Sequence, residues 1–254
     1  MQGINSQFSP GKENLPSVVF IHGDLQNQTV FNNLNDKFQS LGHSTLLFDL
    51  PGHGLSQTQE RPTQEIVKSL IEEHNLEKPI IVGHSAGGIL GPDYLAKTGN
   101  ASALVILNST IINPKIAVPD LDWDEMYNQF MILSKEKFRK QEPLNYHTLQ
   151  HLGEQETKLK GLQLTNPSGF QATMDFYVNL EEDPGLYEAR IPILVSTSKE
   201  DKLISKNQLE PTVKKMKNAR LIETSGDHNP LIKNPEELMK IIEDNYAFLL
   251  GQEA

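Results

Sequence analysis

Short apolar runs separated by helix-like segments constrain the fold of this chain more than any other feature. Each run is rich in β-branched or leucine side chains and has the length of a buried strand. Between the runs, apolar residues recur at helical spacing, as in Phe31, Leu34 and Phe38. Strand and helix in alternation predict right-handed crossovers and a mostly parallel central sheet flanked by helices, an α/β fold. The predicted strands of the first half are Val18–Ile21, Thr45–Phe48, 80–82 and Ala103–Leu107.

The same pattern resumes near the C-terminus, after an interruption. Runs 193–196 and 220–223 predict two more strands, and 207–216 and 235–250 predict the helices after them. The polar segment 110–186 shows no parallel strand and is predicted to be a helical cap insertion over the carboxyl edge of the sheet, where open α/β folds bind ligands. The core domain is therefore predicted at 1–109 and 187–254, and a surface excursion with no role in the site is the alternative reading of 110–186. Within the insertion, helices are predicted near 123–133 and 146–152. Its aromatic residues are proposed to line a pocket or to fill the core of the cap; they are Phe130, Tyr146, Phe170, Phe176 and Tyr177.

The segment Gly83-His84-Ser85-Ala86-Gly87 joins the third of these strands to a helical segment. A tight strand-to-helix turn holds a serine in a strained conformation with its hydroxyl exposed over the sheet, and glycine two places to either side keeps the neighbouring backbone from colliding with it. A match to this short pattern is weak evidence alone, since glycine and serine are common in turns. Its context makes Ser85 the predicted nucleophile. Pro92, farther along the helix, predicts a kink or an early end there.

A base and an acid follow Ser85 in the order that acyl-transfer chemistry needs. His228 lies on a loop after the last predicted strand, where a neutral imidazole accepts the serine proton and later returns it to the leaving group. Asp201 follows the strand at 193–196 and is the predicted acid that fixes the imidazole tautomer. Glu200 is its nearest rival, whereas Asp227 is poorly placed because an adjacent residue seldom turns back onto its neighbour's ring.

Two backbone N–H groups are predicted to form an oxyanion hole. One belongs to Asp24, in the turn after the first predicted strand, and the other to Ala86, directly after the nucleophile. Because an anion close to the oxyanion is unfavourable, we expect the Asp24 carboxylate to point away from it.

Composition excludes several other classes of function. The chain has 254 residues, a formal charge of −10 and no cysteine. The negative charge disfavours nucleic acid as a partner, and the missing cysteine excludes disulfides and thiol nucleophiles. No apolar run is long enough to span a membrane and the N-terminus is polar, which predicts a cytoplasmic protein. His147 and His151 are spaced for one helix face, but no third ligand completes a metal set, so neither metal nor cofactor is expected. Nothing in the sequence fixes the oligomeric state.

Taken together, these motifs resemble the α/β-hydrolase superfamily, specifically its small capped esterase, lipase and C–C hydrolase-like members. The likeness covers nearly the whole chain and rests on five segments in fixed order. It implies the α/β-hydrolase fold, the cap, and Asp201 as acid; it also implies that His53, in the loop after the second predicted strand, is structural. The N-terminus leaves less room than most members use for an opening antiparallel hairpin. The segments are 20–23, 48–56, 83–88, 196–201 and 226–228.

The predicted activity is hydrolysis of a carboxylic ester with a small or medium acyl group, through an acyl-enzyme intermediate. The substrate is a small molecule, and water is the only other reactant needed. Cleavage of a C–C bond, lactone, amide or thioester uses the same three residues and is the alternative activity. A non-catalytic ligand-binding protein on a hydrolase fold is a third hypothesis, because the fold also hosts receptors.

Overall fold

A seven-stranded sheet in the order β1-β3-β2-β4-β5-β6-β7 forms the centre of the protein. The computed structural model describes residues 1–113, 167–180 and 184–253. The β1–β3 pairing is antiparallel and every other pairing in the sheet is parallel. The predicted α/β fold with a mostly parallel sheet is therefore confirmed. The strands are β1 (Ser6–Ser9), β2 (Val18–Ile21), β3 (Thr45–Phe48), β4 (Ile80–His84), β5 (Ala103–Leu107), β6 (Ile193–Ser198) and β7 (Ala219–Thr224).

Side-chain alternation along the central strands divides the core between the two faces of the sheet. On β2, Val18 and Phe20 enter one apolar cluster, whereas Val19 and Ile21 enter the other. All four side chains are at most 1% exposed, because helices cover both faces. This explains why the central strands read as continuous apolar runs in the sequence.

The helices pack on these two faces by their apolar stripes. On one face, α2 and α3 contribute Ile66, Leu70 and Ile89 to the core. On the other, α1 contributes Leu34 and Phe38, spaced one turn apart. The helices are α1 (Asn32–Leu41), α2 (Thr63–Glu73), α3 (Ala86–Thr98), α4 (Pro167–Val178), α5 (Gly185–Glu188), α6 (Lys206–Val213), α7 (Pro230–Lys233), α8 (Pro235–Asp244) and α9 (Tyr246–Leu249), and a short 3₁₀ helix covers Gln28–Phe31.

Three local features differ from the sequence-based reading or add to it. The polar strand β1 was not predicted; it pairs with β3 at the edge of the sheet. The predicted helix 235–250 is divided at Asn245 into α8 and α9. Helix α3 runs past Pro92 to Thr98, so it does not end early at the proline.

The region predicted to be a cap lies largely outside the described residues, and so do the helices predicted near 123–133 and 146–152. Three of its described parts pack against the rest of the protein. Helix α4 approaches the loop after β3 so closely that a Cβ on Gly52 would lie 2.5 Å from the Gly169 Cα. Ile111 and Ile112, just beyond β5, are buried in the core, as is Leu186 of α5. No helix in the described ranges is long and apolar enough to cross a membrane.

Candidate active site

Ser85 occupies the turn between β4 and α3 in a strained backbone conformation. Its φ is 51° and its ψ is −123°, in a region that non-glycine residues rarely adopt. The Ser85 N–H donates to the Leu107 carbonyl on β5 at 3.0 Å, and the Ser85 carbonyl accepts from Ser109 Oγ at 2.6 Å. Neighbouring segments thus hold the turn from both sides and leave the Ser85 side chain half-buried at the carboxyl edge of the sheet.

The glycines around Ser85 are required by close backbone approach. A Cβ on Gly87 would overlap the carbonyl oxygen of Ile21, and one on Gly83 would overlap that of Gly87. Helix α3 therefore starts directly against the end of β2, which is the geometry that the Gly-x-Ser-x-Gly pattern predicts.

The structure brings Ser85, His228 and Asp201 into one hydrogen-bonded row. Ser85 Oγ lies 2.9 Å from His228 Nε2, and His228 Nδ1 lies 2.9 Å from Asp201 Oδ2. The imidazole is 4% exposed and the carboxylate residue 7%. Because a carboxylate only accepts, Nδ1 carries the donated proton, which leaves Nε2 free to accept the serine proton.

Asp201 is held as a carboxylate by donors on both of its oxygens. Oδ1 accepts the N–H groups of Leu203 and Ile204 at 2.8 and 3.0 Å, and Oδ2 accepts Asn108 Nδ2 at 2.8 Å as well as His228. Burial by itself raises the pKa of this carboxyl, but the hydrogen bonds and charge of His228, with those from Asn108 and Ile204, outweigh it and lower the pKa.

The rival carboxylates lie elsewhere. Glu200 is exposed, and its N–H donates to Gly226 at 2.9 Å. Asp227 accepts the Asn229 N–H at 3.0 Å and pairs with Lys233 at 2.7 Å. Of the acids considered from sequence, Asp201 is the one that contacts the His228 ring.

Both segments that carry the predicted oxyanion-hole donors adjoin Ser85. A Cβ on Gly23 would lie 2.8 Å from Ser85 Cβ, so the turn carrying Asp24 touches the serine. Ala86 is the first residue of α3, where backbone N–H groups have no acceptor within the helix. In the described part of the chain, neither of these two N–H groups donates a hydrogen bond. The Asp24 carboxylate points toward His53, with Oδ1 3.6 Å from the His53 Nε2.

A buried polar network behind the row was not anticipated from sequence. Gln26 Oε1 accepts the Gly23 N–H at 2.9 Å and lies 2.9 Å from His84 Nδ1, while Gln26 Nε2 donates to Asn229 Oδ1 at 2.9 Å. His84 Nε2 donates to the His228 carbonyl at 2.7 Å. The network ties together the segments at 23–26, 84–85 and 228–229. No local pattern in the sequence marks these residues, since Gln26 and Asn229 each lie five residues beyond the end of a strand.

The remaining sequence-predicted candidates divide into two groups. His53 is fully buried and donates from Nδ1 to the Pro51 carbonyl at 3.1 Å, outside the row. His147 and His151 lie outside the described residues, and among residues 1–113, 167–180 and 184–253 no group of three or more acidic or histidine side chains is placed to bind a metal ion. Of the five aromatic pocket candidates, Phe176 on α4 packs against the core. Phe130 and Tyr146 lie outside the described residues, and the side chains of Phe170 and Tyr177 are not described.

The strand order, together with a serine at the strand-to-helix turn, defines an α/β hydrolase. The chain belongs to this family: a family model described as "alpha/beta hydrolase fold" matches residues 16–235.

Relatives and solved structures of the same fold are similar to the chain over different lengths. The 2-succinyl-6-hydroxy-2,4-cyclohexadiene-1-carboxylate synthase of Salmonella agona (strain SL483) is 30% identical over 89 residues, 34% of this chain and 34% of that relative. The matched stretch thus spans about a third of the curated relative. A carboxylesterase structure from the thaumarchaeon Nitrososphaera gargenis has a TM-score of 0.82 at 17% identity, covering 98% of this chain and 97% of that one. An esterase from Exiguobacterium antarcticum has a TM-score of 0.78 at 16% identity, covering 95% and 94%. At these identities, the structural likeness shows the fold.

Proposed function

We propose that this protein is a serine hydrolase that cleaves carboxylic esters of small or medium acyl groups. The observation that carries the proposal is the unbroken row of hydrogen bonds from the Ser85 hydroxyl to His228 and on to Asp201, at 2.9 Å each. A hydroxyl in such a row passes its proton to the imidazole as it attacks, which a serine without a base does only slowly.

The first half of the reaction acylates Ser85. The Ser85 oxygen attacks the ester carbonyl carbon while its proton moves to His228 Nε2, and the N–H groups of Asp24 and Ala86 hold the negative oxygen of the tetrahedral intermediate. Asp201 stabilises the imidazolium that results. The intermediate then collapses: the bond to the leaving alcohol breaks, and that alcohol takes the proton from His228.

The second half releases the acid. His228 takes a proton from water, the resulting hydroxide attacks the acyl carbonyl, and the bond to Ser85 breaks as His228 returns the proton to the serine oxygen. The exchange balances with water as the only added reactant.

The proposal is tested by hydrolysis of p-nitrophenyl esters of graded acyl length. We expect short and medium chains to be preferred and Ser85→Ala to be nearly inactive, whereas Ser69→Ala, a serine on the outer side of α2, keeps the wild-type rate. Equal rates for the wild type and Ser85→Ala would remove Ser85 as nucleophile. Mass spectrometry after treatment with a fluorophosphonate then separates an enzyme from a non-catalytic binding protein, since a covalent adduct on Ser85 requires an activated hydroxyl.

Ser85, His228 and Asp201 could also cleave lactones, thioesters, amides and diketones, so the hydrogen-bonded row alone does not distinguish ester hydrolysis from these reactions. A substrate panel containing one member of each class, run with the same Ser85→Ala control, decides between ester hydrolysis and these alternatives. Ester hydrolysis is refuted as the main activity if another class gives a higher kcat/KM.

A further inference from the structure

A partly buried acid and a fully buried imidazole face each other beside the proposed oxyanion hole. Asp24 Oδ1 and His53 Nε2 face each other across 3.6 Å, slightly longer than a hydrogen bond. Both atoms are inaccessible to water, and neither has a hydrogen-bond partner among the residues that the structure describes. Unpaired buried polar atoms are costly, so two that face each other call for a joint explanation.

The contacts of His53 fix how many protons the pair holds. Its Nδ1 donates to the Pro51 carbonyl and therefore carries a proton. One further proton between Nε2 and Asp24 satisfies both atoms, either as carboxylate and imidazolium or as carboxylic acid and imidazole. In both forms the net charge is zero. Without that proton, a carboxylate would face a bare ring nitrogen in a buried site.

Asp24 lies close enough to the proposed oxyanion hole for its charge to affect the rate of catalysis. The residue directly follows Gly23, which touches Ser85, and its N–H is one proposed donor to the oxyanion. At an effective dielectric constant of about 20, two unit charges about 8 Å apart interact strongly enough to change a rate roughly 30-fold, so an uncompensated carboxylate on this loop would slow the reaction.

We propose that His53 is a positioning residue that shares one proton with Asp24 and so keeps the loop at 22–24 free of net negative charge beside the oxyanion. The inference rests on the proposed function, because it assigns an effect on the same transition state. Burial raises the pKa of the Asp24 carboxyl by more than the contacts with His53 and Thr173 lower it, which agrees with a proton held between acid and ring.

The neighbouring ionisable groups do not account for a change in charge next to Asp24 and His53. The His22 ring is 5.4 Å from the His53 ring, but its pKa is lowered to about 3, so it stays neutral between pH 6.5 and 9. Asp49, which faces His22, is occupied by the N–H groups of Gln28 and Leu55. Ser85, His228 and Asp201 are unchanged in all variants at positions 24 and 53.

The test is a double-mutant cycle with Asp24→Asn and His53→Asn, read out as the rate of Ser85 phosphonylation by a fluorophosphonate and as kcat/KM for a p-nitrophenyl ester between pH 6.5 and 9. With Asp24 present, His53→Asn should slow both reactions about 10-fold or more at pH 8.5, because the acid is then left without its proton-sharing partner. In the Asp24→Asn background, the same change at position 53 should cost less than about 2-fold at every pH.

Several outcomes overturn the inference. Equal loss from His53→Asn in both backgrounds would make the histidine merely structural, and no loss in either would remove any effect of charge. If the wild type is not phosphonylated at all, the proposed function itself fails. Urea unfolding of the four proteins guards against misfolding and supplies a second readout, because a shared proton predicts coupling between the two substitutions in the free energy of unfolding. If His53→Asn does not fold, His53→Gln, which keeps an N–H near the Nε2 position, takes its place.

Discussion

His22 gives a prediction about stability and pH that follows from its contacts. Its Nδ1 donates to the Gly23 carbonyl at 2.7 Å and its Nε2 accepts the Leu50 N–H at 2.8 Å, so the folded protein requires the neutral ring. Burial, and then the charge of His53, lower the pKa of His22 to about 3. Since an unfolded histidine has a pKa of about 6.5, the unfolded chain takes up a proton that the folded protein refuses.

The difference between these two pKa values makes the free energy of unfolding depend on pH. The stabilisation is fully present above pH 6.5 and is lost as the pH falls from 6.5 toward 3, at about 1.4 kcal/mol per pH unit. At pH 5.0 the loss is therefore about 2 kcal/mol. His22→Gln keeps an acceptor for the Leu50 N–H but does not titrate, and it loses the bond to Gly23, which is worth about 1 kcal/mol.

Urea unfolding followed by circular dichroism at pH 8, 7, 6 and 5 measures the effect. At pH 8 we expect His22→Gln to be about 1 kcal/mol less stable than the wild type, and at pH 5 about 1 kcal/mol more stable. The interval from pH 7 to 8 is an internal control, since the difference should be nearly constant there. A difference between the two proteins that is the same at pH 5 as at pH 8 would refute the reasoning.

Three further predictions concern the row and the turn. Asp201→Asn should lower kcat for ester hydrolysis by about 10⁴-fold, while Glu200→Gln leaves it unchanged; a comparable loss in both would reopen the choice of acid. Asn108→Asp places a second carboxylate 2.8 Å from Asp201 Oδ2 and should cut kcat at least about 10-fold by raising the Asp201 pKa, so an unaltered kcat would contradict that contact. Gly87→Ala should destabilise the protein by about 1–3 kcal/mol in thermal unfolding, because its Cβ overlaps a β2 carbonyl. Gly91→Ala on the same helix is the control: its Cβ meets only side chains, the nearest atom 3.2 Å away, so it should cost less than about 1 kcal/mol, and equal costs would argue against the clash.

The sequence predicts the buried part of the fold well because burial leaves a local signal. Strands β2 and β5 are apolar throughout, since helices cover both faces of the sheet at those positions. Strand β1 has the sequence Ser-Gln-Phe-Ser and is mostly exposed at the edge, so no hydrophobic pattern marks it. The break at Asn245 within the predicted C-terminal helix was likewise missed.

In the candidate site, too, some residues could be predicted from sequence and others could not. Ser85, His228 and Asp201 each follow a recognisable strand, and chain order alone placed them at one edge. Asn108 and Gln26 also follow strands, but their partners come from loops distant in sequence, so their hydrogen bonds depend on the folded geometry. The contact between Asp24 and His53 depends in the same way on the approach of two separate loops.

The close contact between α4 and the loop after β3 limits which substitutions the protein can tolerate there. At Gly52 and Gly169 two main chains touch with no side chain between them, so their separation is already as small as polypeptide permits. Substitutions at exposed positions of α4 can change its surface while this contact stays fixed. A larger residue at either glycine would instead push the two main chains apart and displace the helix.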